Sequence, residues 1–147
     1  MFDRILIPTD GTPGSDCAVE NGLELAAKHD AEIHALYVVD TDSAMGHYDV
    51  AVEREEETGE EAVEAVERRA AESEYDLSVT KAFRYGNPHE EILDYATDHD
   101  VDLIMMGTHG RSGFERLLSA GSVAERVVRE ADVPVMVAGR EACRLPE

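Results

Sequence analysis

Short apolar runs alternate along the chain with longer segments whose apolar positions recur every three or four residues. Arg4-Ile5-Leu6-Ile7-Pro8 is one such run, and it ends in Thr9-Asp10-Gly11-Thr12, so it reads as a buried strand entering a turn. From Ser15 to about His29, Ala18, Val19, Gly22, Leu23, Leu25 and Ala26 fall at helical steps. Residues 32–39 give a second strand, and the small polar residues from Asp40 to Asp49 predict a loop. Glu53 to Ser73 is long and acidic, with one narrow apolar stripe at Ala62, Val63, Val66 and Ala70. That spacing predicts a solvated surface helix braced by a Glu64–Arg68 pair.

Leu77 to Tyr85 alternates as a third strand closed by Gly86, and Asn87-Pro88-His89-Glu90 supplies a helix start. Asn87 stands at the N-cap, Pro88 at the first helical position and Glu90 where it can reach back. The helix runs to about His99, and residues 101–106 form a fourth strand before a glycine-bearing loop. Ser122-Val123-Ala124-Glu125 is a capping box opening a helix to about Ala131, and Val133-Pro134-Val135-Met136-Val137 is a fifth strand.

Strands separated by helices of about ten or more residues need right-handed crossovers, so the pattern predicts an α/β fold with a doubly wound parallel sheet. The 147 residues suit one core, and no linker, repeat or low-complexity tract divides them; residues 1–147 are expected to form a single domain.

Charge changes this picture more than any other compositional feature. The chain carries 33 acidic and 13 basic residues, a formal net charge of −20, spread along its whole length, and such a surface repels nucleic acid and anionic membranes. Arginine supplies nearly all the cations, since Lys28 and Lys81 are the only lysines. This composition suits a protein working in molar salt, where a Debye length of about 3 Å screens the self-repulsion. No stretch has the length of a membrane span and the first residues lack a secretory apolar region, so a cytoplasmic protein is expected. Cys17 and Cys143 lie far apart with no CxxC spacing, and both are expected as free thiols.

In a doubly wound sheet, ligands bind beyond the carboxyl ends of the strands where the winding direction reverses. The unusual residues of this chain gather there: Pro8-Thr9-Asp10-Gly11 after the first strand, and Gly107-Thr108-His109-Gly110-Arg111-Ser112-Gly113 leading to Gly121-Ser122 after the fourth. Glycines let a backbone approach a phosphate, and unpaired N–H groups at a helix start attract anions. The loop matches neither the GxxxxGK[ST] nor the GxGxxG phosphate-binding pattern.

Five blocks in this order resemble the universal stress protein family: Ile5 to Thr12, Gly86 to Ile92, Val101 to Arg111, Gly121 to Val127, and Val133 to Val137. The resemblance implies a five-stranded parallel sheet in the order 3-2-1-4-5 and a homodimer joined through the fifth strand, at Val133, Pro134, Val135, Met136 and Val137. It also implies a regulatory, stress-response module that binds ATP, or AMP or ADP, with Mg²⁺ carried by the nucleotide and no committed catalysis. ATP-binding members carry G-x2-G-x9-G-[ST]; here ten residues separate Gly110 from Gly121, one more than the pattern. A slow ATPase and a nucleotide-free dimeric interaction module are the alternatives.

By that resemblance Pro8, Thr9 and Asp10 meet the adenine and ribose, and Val38 packs on the base. Met106, Gly107, His109, Gly110, Gly121, Ser122 and Val123 line the ribose and phosphates, with Arg111 as a nearby cation. Asp10 could equally cap the next helix or turn, Ser122 could serve only its own helix, and Arg111 could face solvent. His109 fits a donor or stacking role better than metal ligation, because no second histidine or cysteine lies at ligand spacing.

Overall fold

The computed structural model describes residues 2–10, 15–41, 48–107 and 123–139. The apolar runs form β1 (Arg4–Pro8), β2 (Glu32–Asp40), β3 (Val79–Gly86), β4 (Leu103–Gly107) and β5 (Val135–Ala138). Between them stand α1 (Asp16–His29), α2 (Tyr48–Glu72), α3 (Pro88–Asp98) and α4 (Val123–Glu130). All strands are parallel in the order β3-β2-β1-β4-β5, as expected.

Strand alternation sends the apolar residues into two cores. Ile5, Ile7, Tyr37, Val39, Leu103 and Met105 face α1 and α2, whereas Leu6, Leu36, Ile104 and Met106 face α3 and α4. The central strands β1, β2 and β4 are buried on both sides, which is why they read as continuous apolar runs. At the sheet edge β3 exposes Thr80, Lys81 and Tyr85 and has no fully buried residue.

Several boundaries differ from the sequence expectation. α2 begins at Tyr48, five residues early, since residues 48–52 hold no glycine or proline to stop it. β5 begins at Val135 because Pro134 has no N–H to give; its carbonyl instead accepts from Ile104 N at 3.0 Å. β4 begins at Leu103 because the Asp102 carboxylate accepts from the backbone N–H groups of Asp3, at 2.9 Å, and Arg4, at 3.1 Å. Asn87 is the N-cap of α3, but its side chain makes no capping hydrogen bond.

The expected Glu64–Arg68 pair does not form. Arg69 instead ties α2 to α1, reaching Glu20 at 2.7 Å and Asp16 at 3.4 Å, because the inward-tilted arginine meets two carboxylates on a neighbouring helix. Cys17 is disulfide-bonded rather than a free thiol, which corrects the reading drawn from cysteine spacing; distance along a chain does not fix distance in a fold. Cys143 lies outside the described residues.

A polar chain threads the amino-terminal edge of the sheet. Arg4 Nε donates to Glu32 Oε1 at 2.8 Å, the same oxygen lies 3.0 Å from His34 Nε2, and His34 Nδ1 lies 2.6 Å from the Tyr95 hydroxyl. His34 and then Arg4 hold the Glu32 carboxyl below its ordinary range, while burial pushes the Tyr95 hydroxyl up. A lowered carboxyl pKa stabilises the fold above the unfolded value of about 4.5, and this contribution fades as pH falls through the folded value. Glu32→Gln is therefore expected to lower the unfolding midpoint more at pH 7 than at pH 3. Equal losses at both pH values would refute the ionic origin.

Candidate functional site

Pairing between the strands defines where the sheet opens. β1 pairs with β2 as far as Pro8↔Leu36, and β4 pairs with β5 as far as Gly107↔Ala138. Between β1 and β4, however, the paired residues are Ile5↔Leu103 and Leu6↔Ile104 alone. The two central strands thus part company two residues before β1 ends and three before β4 ends. Their neighbours β2 and β5, and the helices that follow, depart to opposite sides, so a crevice at the carboxyl edge is the geometric consequence.

The expected residues that fall within the described structure stand around this opening. Pro8 closes β1 and has no N–H; Thr9 extends the pairing by donating its N–H to Leu36 O at 2.9 Å. Thr9 is buried, and its hydroxyl lies 3.2 Å from that of Ser15. Ser15 is itself the N-cap residue of α1, and its side chain makes no capping hydrogen bond. Asp10 is half-buried at the end of the β1 segment.

On the α3–α4 side, Met106 belongs to the buried cluster, and half-buried Val38 and Val123 pack against it. These three come from β2, β4 and the first position of α4, on the α3–α4 side of the sheet. Gly107 ends β4 half-buried. His109, Gly110, Arg111, Gly121 and Ser122 lie outside the described residues.

On the other face, a cleft of about 260 Å³ opens between α1 and α2, lined by Thr9, Ser15, Asp16, Thr58, Ala62 and Arg69 among others. It shares only Thr9 with the expected set. Ser15, which joins the β1 end to α1, was not singled out as a site residue; the signal for it is a serine placed immediately before the helical periodicity of α1. Among the described residues no group of three or more His, Cys, Asp or Glu is arranged to hold a metal ion. Nor is any helix there long and apolar enough to cross a membrane.

An open, doubly wound α/β fold whose first and fourth strands part before their carboxyl ends is the class that this topology defines. The chain belongs to the universal stress protein family, whose profile matches residues 1–139. A universal stress protein of Methanocaldococcus jannaschii is 38% identical over 142 residues, covering 93% of this chain and 82% of the relative. Among solved structures, universal stress protein UspA from Lactobacillus plantarum superposes with a TM-score of 0.81 at 27% identity, covering 92% of this chain and 97% of that one. A family protein from Arabidopsis thaliana with AMP bound shares the fold at 17% identity, with a TM-score of 0.69 and coverage of 94% and 92%.

Proposed function

We propose that this protein binds an adenine nucleotide in the crevice between β1 and β4 and acts in the cytoplasm as a homodimeric stress-response module. The observation that carries the reading is the early end of β1–β4 pairing, with Asp10 two residues beyond the end of β1 and Val38, Met106 and Val123 packed on the α3–α4 side of the sheet. Apolar side chains suit a base, and a carboxylate accepts hydrogen bonds from ribose hydroxyls. The AMP held by the Arabidopsis thaliana protein supports the same class of ligand.

ATP is the proposed physiological nucleotide, its Mg²⁺ held by phosphate oxygens and water, which spares the protein a metal cage. The glycine loop and the start of α4 are the proposed phosphate cradle, with His109, Gly110, Arg111, Gly121 and Ser122 as its residues. The dimer is proposed through β5, an edge strand on which Met136 is exposed and Val135 and Val137 are half-exposed. A second β5 across a two-fold axis would pair that edge and cover those side chains.

Calorimetric titration of AMP and of ATP with Mg²⁺ tests the nucleotide reading. Asp10→Ala is expected to weaken AMP binding by about 1.5–3 kcal/mol, roughly ten- to a hundredfold, the usual worth of a hydrogen bond to a charged group. Absence of binding to either nucleotide, or unchanged affinity in Asp10→Ala, would sink it.

A further inference from the structure

The cleft between α1 and α2 lies on the opposite face of the sheet from Val38, Met106 and Val123. Its apolar wall is made by Val19 of α1 and by Ala62, Ala65 and Val66 of α2. At about 260 Å³ it falls just below the roughly 300–1,000 Å³ of sites for drug-sized ligands, so it suits a molecule on the order of ten heavy atoms.

Two carboxylates and two guanidiniums line this cleft, Asp16 and Glu61 with Arg68 and Arg69, so its lining is formally neutral on a chain of net charge −20. Asp16 and Arg69 are already matched at 3.4 Å, and Arg69 also holds Glu20 at 2.7 Å. Glu61 and Arg68 are exposed, and neither has an ion-pair partner among the described residues. They do not pair with each other, because seven positions separate them, about 10 Å along the helix, whereas helical pairs form at three or four. Ala65 stands between them, four positions after Glu61 and three before Arg68, and its methyl group leaves the cleft open there.

We infer that this cleft binds a short zwitterion whose ammonium and carboxylate stand at opposite ends of the molecule, the chemistry shared by ω-amino acids and dipeptides. Glu61 accepts hydrogen bonds from the ammonium, and the planar fork of Arg68 donates to the carboxylate. The chain between the two charges lies on Ala62, Ala65 and Val66. Across the cleft stand the hydroxyls of Thr9 and Ser15, and a hydroxyl both donates and accepts, which suits a peptide group. A simple anion would satisfy Arg68 and meet Glu61 as a like charge, and a simple cation would do the reverse. A zwitterion matches both, and because it is neutral overall it escapes the long-range repulsion that the chain exerts on anions. An α-amino acid carries its two charges on neighbouring atoms and cannot span the distance. Binding here does not depend on a nucleotide in the β1–β4 crevice.

The test follows amide NMR shifts of the isotope-labelled full chain during titration with ω-aminohexanoate and with alanyl-alanine, at constant KCl. Saturable shifts confined to residues 15–19 and 58–69 are expected with at least one probe. Hexanoate lacks the ammonium, hexylamine lacks the carboxylate and alanine lacks the separation, so all three are expected to bind more weakly by about three- to fivefold or more, the worth of one exposed charge pair. Glu61→Gln and Arg68→Gln are each expected to weaken the probe by a similar factor. Glu53→Gln, the same change of charge at an exposed position elsewhere on α2, is expected to leave the affinity unchanged. Ala65→Leu, whose side chain fills the cleft, is expected to abolish binding. Tighter binding of alanyl-alanine identifies the occupant as a peptide and tighter binding of ω-aminohexanoate as an ω-amino acid, and either order sustains the inference. No saturable shift with either probe, equal binding of any of the three control compounds, full affinity in Glu61→Gln or Arg68→Gln, or shifts centred on Val38, Met106 and Gly107 would overturn it.

Discussion

Gly59→Ala is expected to destabilise the protein by about 1–3 kcal/mol, the usual range for overpacking, and to lower its thermal midpoint by roughly 3–10 °C. Alanine in a helix interior ordinarily gains up to about 1 kcal/mol over glycine, so the expected sign depends on what the new methyl meets. A Cβ at Gly59 would stand 2.4 Å from Tyr37 Cδ1, 2.7 Å from Tyr37 Cγ and 2.7 Å from Phe83 Cε2. The Tyr37 atoms lie at the root of a ring that is 2% exposed and whose hydroxyl donates to Glu55, so they cannot swing aside. α2 can accept the methyl only by lifting from β2 and β3.

Gly22 provides an internal contrast. A Cβ there would approach Ile7 Cδ1 at 2.6 Å, but this is the end of a flexible side chain, and the next atom, Ile7 Cγ1, is 3.3 Å away. Gly22→Ala is expected to cost less than Gly59→Ala because a rotamer change absorbs most of the contact. Chemical denaturation of the two variants checks the order. A neutral or stabilised Gly59→Ala would show that the α2 seat is softer than its geometry requires.

What could be read from the sequence follows from how local each determinant is. β1 was legible because an apolar run ends in Thr9-Asp10-Gly11, and α1 because its buried positions repeat at helical spacing up to His29. The strand order came from the resemblance rather than from periodicity, which does not report which strands neighbour each other. Side-chain partners were the weak point. Arg68 and Arg69 are adjacent on α2, and only the tilt of the helix against α1 decides that Arg69 finds Asp16 and Glu20 while Glu64 and Arg68 stay apart.

The site shows the same division. Pro8, Thr9, Asp10, Val38, Met106 and Gly107 all sit at the carboxyl ends of β1, β2 and β4, as the strand-end rule requires. Neither the early end of β1–β4 pairing nor the Thr9–Ser15 contact leaves a trace in composition or spacing, since both arise from strand register and from where α1 begins.

Raising KCl from 0.1 M to 2 M is expected to stabilise this protein by on the order of 2–4 kcal/mol, roughly 5–15 °C in midpoint. The cause is visible on α2, where Glu53, Glu57 and Glu61 are exposed and repeat every four residues, each like-charge step costing about 0.2–0.5 kcal/mol in dilute buffer. Salt also weakens exposed pairs such as Lys81–Glu67, but each is worth only about 0–1 kcal/mol, and a net charge of −20 leaves repulsion dominant. The same field opposes an incoming nucleotide, so AMP affinity is expected to rise severalfold over this range. That sign is the reverse of the usual one for an anion meeting a cationic site, because screening here removes a long-range penalty while hydrogen bonds in the crevice persist. NaCl and KCl at equal ionic strength should act alike if screening is the cause. A flat midpoint, or an affinity that falls with salt, would mean that local cations rather than the overall charge govern the crevice.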